Sequence, residues 1–187
     1  MRVIAGKFRS RVLKGPKNMR LRPTSDRLRE TLFNVLGPTV QDTLFIDLYA
    51  GTGAVGMEAL SRGSREVIFV ESNAKAASLI RANLAALGIT AGAEVMETAT
   101  LRGLGVLATR HVQADFIFLD PPYDSIAESE RVLEFLNTSR LLAPGGLVIA
   151  EHRRKSELPA RFERLARIRV LEQGDAALSF YRLAAAA

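Results

Sequence analysis

Asp47-Leu48-Tyr49-Ala50-Gly51-Thr52-Gly53-Ala54-Val55-Gly56 joins an apolar run at residues 44–48 to a helical pattern at residues 54–61. The stretch reads as a buried strand that turns sharply into a helix. Its glycines let the chain turn tightly and let a ligand approach the backbone. The helix that follows presents unpaired N–H groups in its first turn. A second apolar run, residues 66–71, ends on Glu71, which stands 20 residues beyond Gly51. A carboxylate there can accept hydrogen bonds from ribose hydroxyls.

Working outward, strand and helix patterns alternate. A helix is expected over residues 75–87, closed by Gly88, then a weaker strand over 93–97 and a short helix over 101–109. A strand follows at 115–120, a helix at 129–137 and a strand at 145–151. The chain closes with a hairpin, 167–172 and 177–183, around Gln173-Gly174-Asp175. The strands are continuous apolar runs rather than alternations, which argues for a parallel sheet covered on both faces. The expected fold is α/β: a Rossmann-like, mostly parallel, doubly wound seven-stranded sheet with a C-terminal antiparallel hairpin. A site is then expected at the carboxyl ends of the strands.

Gly51-x-Gly53-x-x-Gly56 also matches the dinucleotide fingerprint. Asp47 argues against a nicotinamide dinucleotide, because it would put negative charge beside the pyrophosphate. A cationic ligand that carries a nucleoside and no phosphate suits an acidic loop better. S-adenosylmethionine has that character: its ribose would meet Glu71, and its ammonium and sulfonium the Asp47 neighbourhood.

The second chemical stretch is Asp115-Phe116-Ile117-Phe118-Leu119-Asp120-Pro121-Pro122-Tyr123. Two consecutive prolines end a strand, since neither has a backbone N–H. The residue before each is held extended, so the carbonyls around Pro121 point in a fixed direction. Asp120 stands on one side and the Tyr123 ring on the other. The arrangement suits a planar group bearing an NH2, such as a nucleobase with an exocyclic amine. Asp120 and the Pro121 carbonyl would accept the two amine hydrogens and aim the lone pair at a methyl donor. Tyr123 would stack on the base.

Charge is concentrated at one end. Ten of the 26 Lys and Arg residues lie within residues 1–30, against two acids, so this segment carries +8 and the remainder −2. A basic arm on a near-neutral domain is the footprint of a polyanion binder. A short hairpin is expected over residues 1–13, bending at Ala5-Gly6-Lys7. A turn follows at Gly15-Pro16-Lys17-Asn18, and a helix opens at Arg22-Pro23-Thr24-Ser25-Asp26 and stops at Gly37-Pro38. Leu28, Leu32, Val35 and Leu36 form its core stripe; Arg27 and Arg29 lie off that stripe, open to phosphates. The organisation expected is a basic RNA-binding arm over residues 1–38 and a catalytic domain over 39–187. There is no cysteine, and two histidines, His111 and His152, are too few for a metal cluster; both are read as surface or edge residues. No apolar run approaches the roughly 20 residues of a membrane span, so a cytoplasmic protein is expected.

Together, Asp47–Gly53 and Asp120–Tyr123 resemble the cofactor and catalytic motifs of class I methyltransferases that act on exocyclic nitrogens of bases. Arg2-Val3-Ile4-Ala5-Gly6 and Arg22-Pro23-Thr24-Ser25-Asp26-Arg27-Leu28-Arg29-Glu30-Thr31-Leu32-Phe33-Asn34 narrow this to the RsmD family, guanine-N2 methyltransferases of small-subunit ribosomal RNA. The resemblance runs to Tyr181-Arg182-Leu183. It implies a monomeric enzyme that uses S-adenosylmethionine, releases S-adenosylhomocysteine, and works on ribosomal RNA within the small subunit or its assembly intermediate. It implies Asp120, Pro121, Pro122 and Tyr123 at the reacting amine. It implies Asp47, Tyr49, Ala50, Gly51, Gly53, Glu71, Ser72, Thr98 and Ala99 around the cofactor, and Arg22, Thr24, Arg27 and Arg29 against RNA. Thr98-Ala99-Thr100 stands where relatives place a polar side chain near the adenine, and a backbone N–H or Thr98 itself is the expected substitute. A DNA amino-methyltransferase acting on adenine N6 or cytosine N4, and a nucleic-acid-binding scaffold without catalysis, are the competing readings. The short chain has no target-recognition domain for the first. The intact Asp47, Glu71 and Asp120 speak against the second.

Overall fold

The apolar run that opens the glycine stretch is strand β1 (Leu44–Leu48), and all five of its residues are buried. A strand buried on both faces has to be covered on both faces. A computed structural model describes residues 1–15, 24–121 and 126–184. In chain order the remaining elements are α1 (Asp26–Leu36), a 3-10 turn at Gly37–Val40, α2 (Ala54–Ser61), β2 (Glu66–Glu71), α3 (Ala74–Leu87), β3 (Ala93–Glu97), α4 (Thr100–Thr109), β4 (Ala114–Leu119), α5 (Ile126–Thr138), β5 (Leu142–Arg153), β6 (Leu165–Gln173) and β7 (Ala176–Leu183). The strands form a seven-stranded sheet in the order β3-β2-β1-β4-β5-β7-β6. The expected strands and the helices from residue 26 on are present, while the expected turn at Gly15-Pro16-Lys17-Asn18 and the Arg22-Pro23 opening of the first helix lie largely outside the described residues. Strand β5 is longer than its pattern suggested, because Pro144 and the two glycines after it separate Leu142 and Ala143 from the apolar run.

The chain divides into two compact units, Met1–Ala99 and Thr100–Ala187. In the first, β1 pairs in parallel with β2 and β2 with β3. Helix α1 starts where Ser25 accepts a hydrogen bond from the Leu28 N–H at 3.1 Å, a cap worth about 1 kcal/mol. Its buried face carries Leu28, Leu32, Phe33 and Leu36, and Phe33 stacks on Phe45 of β1 with ring centres 6.1 Å apart.

The N-terminal arm is part of this unit. Residues 1–13 form the expected bend, with Arg2 bridging Val12 antiparallel. The bend is fastened to α2 by Glu58, a fully buried acid that accepts from the Ile4 N–H at 2.7 Å and the Ala5 N–H at 3.0 Å. Gly6 sits at φ +80°, and a Cβ there would come within 1.8 Å of the Ser61 carbonyl oxygen. Only glycine permits both the backbone angle and that approach. Farther along, Asn83 of α3 accepts from the Lys14 N–H at 2.8 Å and donates to the Lys14 carbonyl at 3.1 Å.

In the second unit β4 pairs in parallel with β5, while β5–β7 and β6–β7 are antiparallel. The hairpin turns at Gly174. No described helix is long and apolar enough to cross a membrane.

Candidate active site

Each chemical stretch of the sequence lies at the carboxyl end of its strand, the glycine loop in the first unit and Asp120-Pro121 in the second. In the first unit, β1 ends in a loop whose backbone takes positive φ at Tyr49 (58°), Gly51 (53°) and Gly53 (75°). Tyr49 is a non-glycine residue in this region, which costs of the order of 1–3 kcal/mol and clusters at functional sites. Gly53 caps α2 without a side chain. The capping role passes to Asp47: it lies near the end of β1, 2% exposed, and its Oδ2 accepts from the Gly56 N–H at 2.9 Å. A carboxylate at a helix N-terminus is favoured by the helix dipole.

Burial nevertheless dominates at Asp47. It pushes the carboxyl up to about 8, the Gly56 hydrogen bond opposes this, and the nearby Glu71 charge adds to it. Glu71, also buried, ends β2 and closes the loop from the other side. Its Oε2 accepts from the Gly51 N–H at 2.8 Å and its Oε1 from the Asn73 N–H at 2.7 Å. Each carboxylate oxygen keeps a further lone pair for a ligand hydroxyl. Ala50 donates to the Val70 carbonyl at 3.1 Å, which ties the loop to β2. Ser72 is exposed just beyond.

Gly56 is a packing glycine. A Cβ on it would fall 2.3 Å from the Phe69 ring, so it sets how closely α2 lies on β2. This is the role of the third glycine in the nucleotide fingerprint. At the end of β3 the Thr98 N–H donates to the Glu71 carbonyl at 3.0 Å. The Thr98 N–H is therefore engaged within the strand ends, and of the two expected adenine contacts a backbone N–H would have to come from a neighbouring residue. The half-buried Thr98 side chain and the exposed Ala99 remain.

In the second unit β4 is apolar and buried from Phe116 to Leu119, then gives way to the half-buried Asp120 and the buried Pro121. Pro122 and Tyr123 lie outside the described residues, as does Arg22.

The arm arginines separate into two kinds. Arg27 is exposed, as expected, and Thr24 is half-buried. Arg29 does not lie open to phosphates: its side chain is fully buried. Its Nη2 donates to the Arg2 carbonyl and to Asp26 Oδ1, both at 2.8 Å. Burial lowers its pKa from the ordinary arginine value, and Asp26 and Glu58 hold it up. Helical spacing places Arg29 one position from Leu28, and the arm covers the flank of α1 that a lone helix would leave in water. Among the described residues its Nε and Nη1 have no hydrogen-bond partner.

Two residues at the site gave weaker sequence signals. Asn83 is buried on α3, and besides holding Lys14 it donates to the Thr52 carbonyl at 3.4 Å. It therefore links the arm to the glycine loop. Its signal was a polar residue three positions after Ile80, on the apolar face. Glu58 gave a similar one, a charged residue inside the mostly apolar helix 54–61.

The sheet order and the C-terminal antiparallel pair are those of the class I S-adenosylmethionine-dependent methyltransferases. The chain belongs to the family described as Conserved hypothetical protein 95, which matches residues 1–182 and is the RsmD family that the sequence resembles. It is 36% identical over 182 residues to YlbH of Bacillus subtilis, covering 97% of this chain and 98% of that one. It is 35% identical over 159 residues to Ribosomal RNA small subunit methyltransferase D of Escherichia coli, covering 85% of this chain and 78% of that protein. The solved structure of Escherichia coli yhhF superposes with a TM-score of 0.86 at 29% identity, covering 100% of this chain and 99% of that one.

Proposed function

We propose that this protein transfers a methyl group from S-adenosylmethionine to the N2 amine of a guanine in small-subunit ribosomal RNA. The observation that carries the reading is the acidic glycine loop. Asp47 is buried with its pKa raised to about 8, and the nearby charge acting on it, Glu71, has the same sign. A carboxyl left so is suited to a cation-bearing ligand, which would stabilise its ionised form. Glu71 faces the same loop through Gly51, in the place of a ribose acceptor. Asp47, Tyr49, Ala50, Gly51, Gly53, Glu71, Ser72, Thr98 and Ala99 would hold the cofactor, which when bound supplies a methyl group activated on a sulfonium. The relatives support RNA as the acceptor, since the Escherichia coli protein is named a ribosomal RNA methyltransferase.

Asp120 and the Pro121 carbonyl accept the hydrogens of the guanine amine, whose lone pair is otherwise delocalised into the ring. Tyr123, after Pro122, stacks on the flipped base and offsets an unstacking cost of a few kcal/mol. Holding both reactants in line can supply roughly 7–11 kcal/mol of the barrier. Asp120 need not be a strong base, because the nitrogen becomes acidic once methylated. Residues 1–38 serve RNA and residues 39–187 the transfer. The enzyme acts as a monomer in the cytoplasm, on the small subunit or its assembly intermediate.

Mapping methylated nucleotides in small-subunit ribosomal RNA from cells with and without the gene tests this. One N2-methylguanosine should vanish with the gene and return with purified protein. An unchanged pattern overturns the reading.

A further inference from the structure

Between the N-terminal bend and the start of α1 lies a cavity of about 440 Å³ whose polar lining is Arg2, Arg9, Ser10, Asp26, Arg27 and Glu30. It falls in the ~300–1,000 Å³ range of ligand sites. Arg2, Arg9 and Arg27 come from three separate places in the sequence and are all exposed. Among the described residues none of the three forms an ion pair. Behind them stands the buried Arg29, bonded through one nitrogen to the Arg2 carbonyl and to Asp26. It fixes two of the lining residues and occupies the Asp26 carboxylate. Three guanidinium groups thus line the cavity with two carboxylates, one of which, Asp26, is already paired with Arg29. Ser10, a non-glycine residue at φ 67°, belongs to the same lining.

Guanidinium forks match phosphate oxygens in pairs, which an ammonium does not do. Exposed forks converging from separate segments suit a backbone passing across the surface. We propose that this cavity is a phosphodiester-binding subsite for the RNA substrate, with Arg2, Arg9 and Arg27 on phosphate oxygens and Ser10 as a neutral donor. The assignment rests on the RNA reading above and extends it to residues outside the Arg22–Arg29 helix start. Arg29 acts from behind, positioning Arg2 and Asp26 without touching the ligand.

The test is titration of a fluorescein-labelled single-stranded fragment of small-subunit ribosomal RNA across a KCl series. It compares wild type with the triple variant R2A/R9A/R27A and its lysine counterpart. The alanine variant should bind at least roughly tenfold more weakly, with a salt slope smaller by about 2, since each phosphate contact on single strands contributes about 0.7. The lysine variant should recover the slope but only part of the affinity. S-adenosylhomocysteine affinity and melting temperature, which report folding, should be unchanged. Wild-type affinity and slope in the alanine variant would overturn the subsite, as would failure of the wild type to bind the fragment at low salt. Inorganic phosphate that displaces the RNA at micromolar concentration would also overturn it, by marking a free-anion site. The two readings fail separately. RNA binding that needs the arginines, without methyl transfer, sinks the proposed reaction and keeps the cavity. Undiminished transfer and binding by the triple variant do the reverse.

Discussion

The glycine loop and the basic arm each bury one charge completely, and the two charges behave differently. Asp47 lies next to last in its strand, with its side chain bonded to a helix N–H and a like-charged neighbour in Glu71. Arg29 sits inside α1 with Asp26 at 2.8 Å and Glu58 near enough to favour its charge. The sequence offered both as ligand contacts. Charge with a protein counter-ion is structural: removing one partner of such a pair is costly because the other is left unpaired. Charge without one awaits an ion from outside, or stays neutral. The lesson is that a charged residue near a motif indicates a ligand only once its partners are known.

The largest expected effect cuts across the comparison. Asp120→Ala should lower methyl transfer by at least about 10²–10³-fold, the scale seen when one group that stabilises a transition state is removed. Binding of S-adenosylhomocysteine and of RNA should stay near wild type. Near-wild-type transfer in a radiolabelled-methyl assay would remove Asp120 from the reaction.

A smaller effect sharpens the loop side. Burial raises the Asp47 carboxyl from 3.8 to about 8. A cationic ligand favours the ionised form, so binding should release a proton. Affinity should then rise by up to tenfold per pH unit between about pH 6 and 8, then level off. Calorimetry in buffers of different ionisation enthalpy measures the released proton, and Asp47→Asn should abolish it. The same shift has a stability sign. The folded state holds a proton that the unfolded state gives up above pH 3.8, so this group's contribution falls as pH rises from about 4 to 8. Asp47→Asn, which keeps an acceptor for Gly56, should gain melting temperature over wild type across that window. A pH-independent affinity in the wild type would remove the contrast with Arg29.

The smallest expected effect lies on the arm side. Arg29→Met keeps an unbranched apolar stem but leaves the Arg2 carbonyl without its donor. It should cost about 1–3 kcal/mol in urea unfolding, the penalty for one unsatisfied buried group. The salt slope of RNA binding should change by less than one phosphate contact. A slope that falls as far as for Arg27→Ala would place Arg29 on the RNA after all.

Much of this was legible in the chain itself. Apolar runs of five and six residues, punctuated by glycine and proline, read as strands that must be covered on both faces. They specified the alternating architecture and the strand ends that carry Asp47, Glu71 and Asp120. The glycine spacing was legible for the same local reason: Gly51 and Gly53 answer to backbone angle. Gly56 answers to packing, and its ring contact with Phe69 could be anticipated only through the fingerprint.

What the sequence determined by itself was therefore the sheet, the motifs at its strand ends and the family to which the chain belongs, because these rest on periodicity, turn chemistry and short-range spacing. Tertiary structure alone decided which charges meet solvent. Glu58 and Asn83 fasten the arm across more than fifty residues of intervening chain. That docking buries Arg29, leaves Arg2, Arg9 and Arg27 around one cavity, and links the arm to the Thr52 carbonyl in the glycine loop. Burial depends on what packs from elsewhere in the chain, and no local pattern records it.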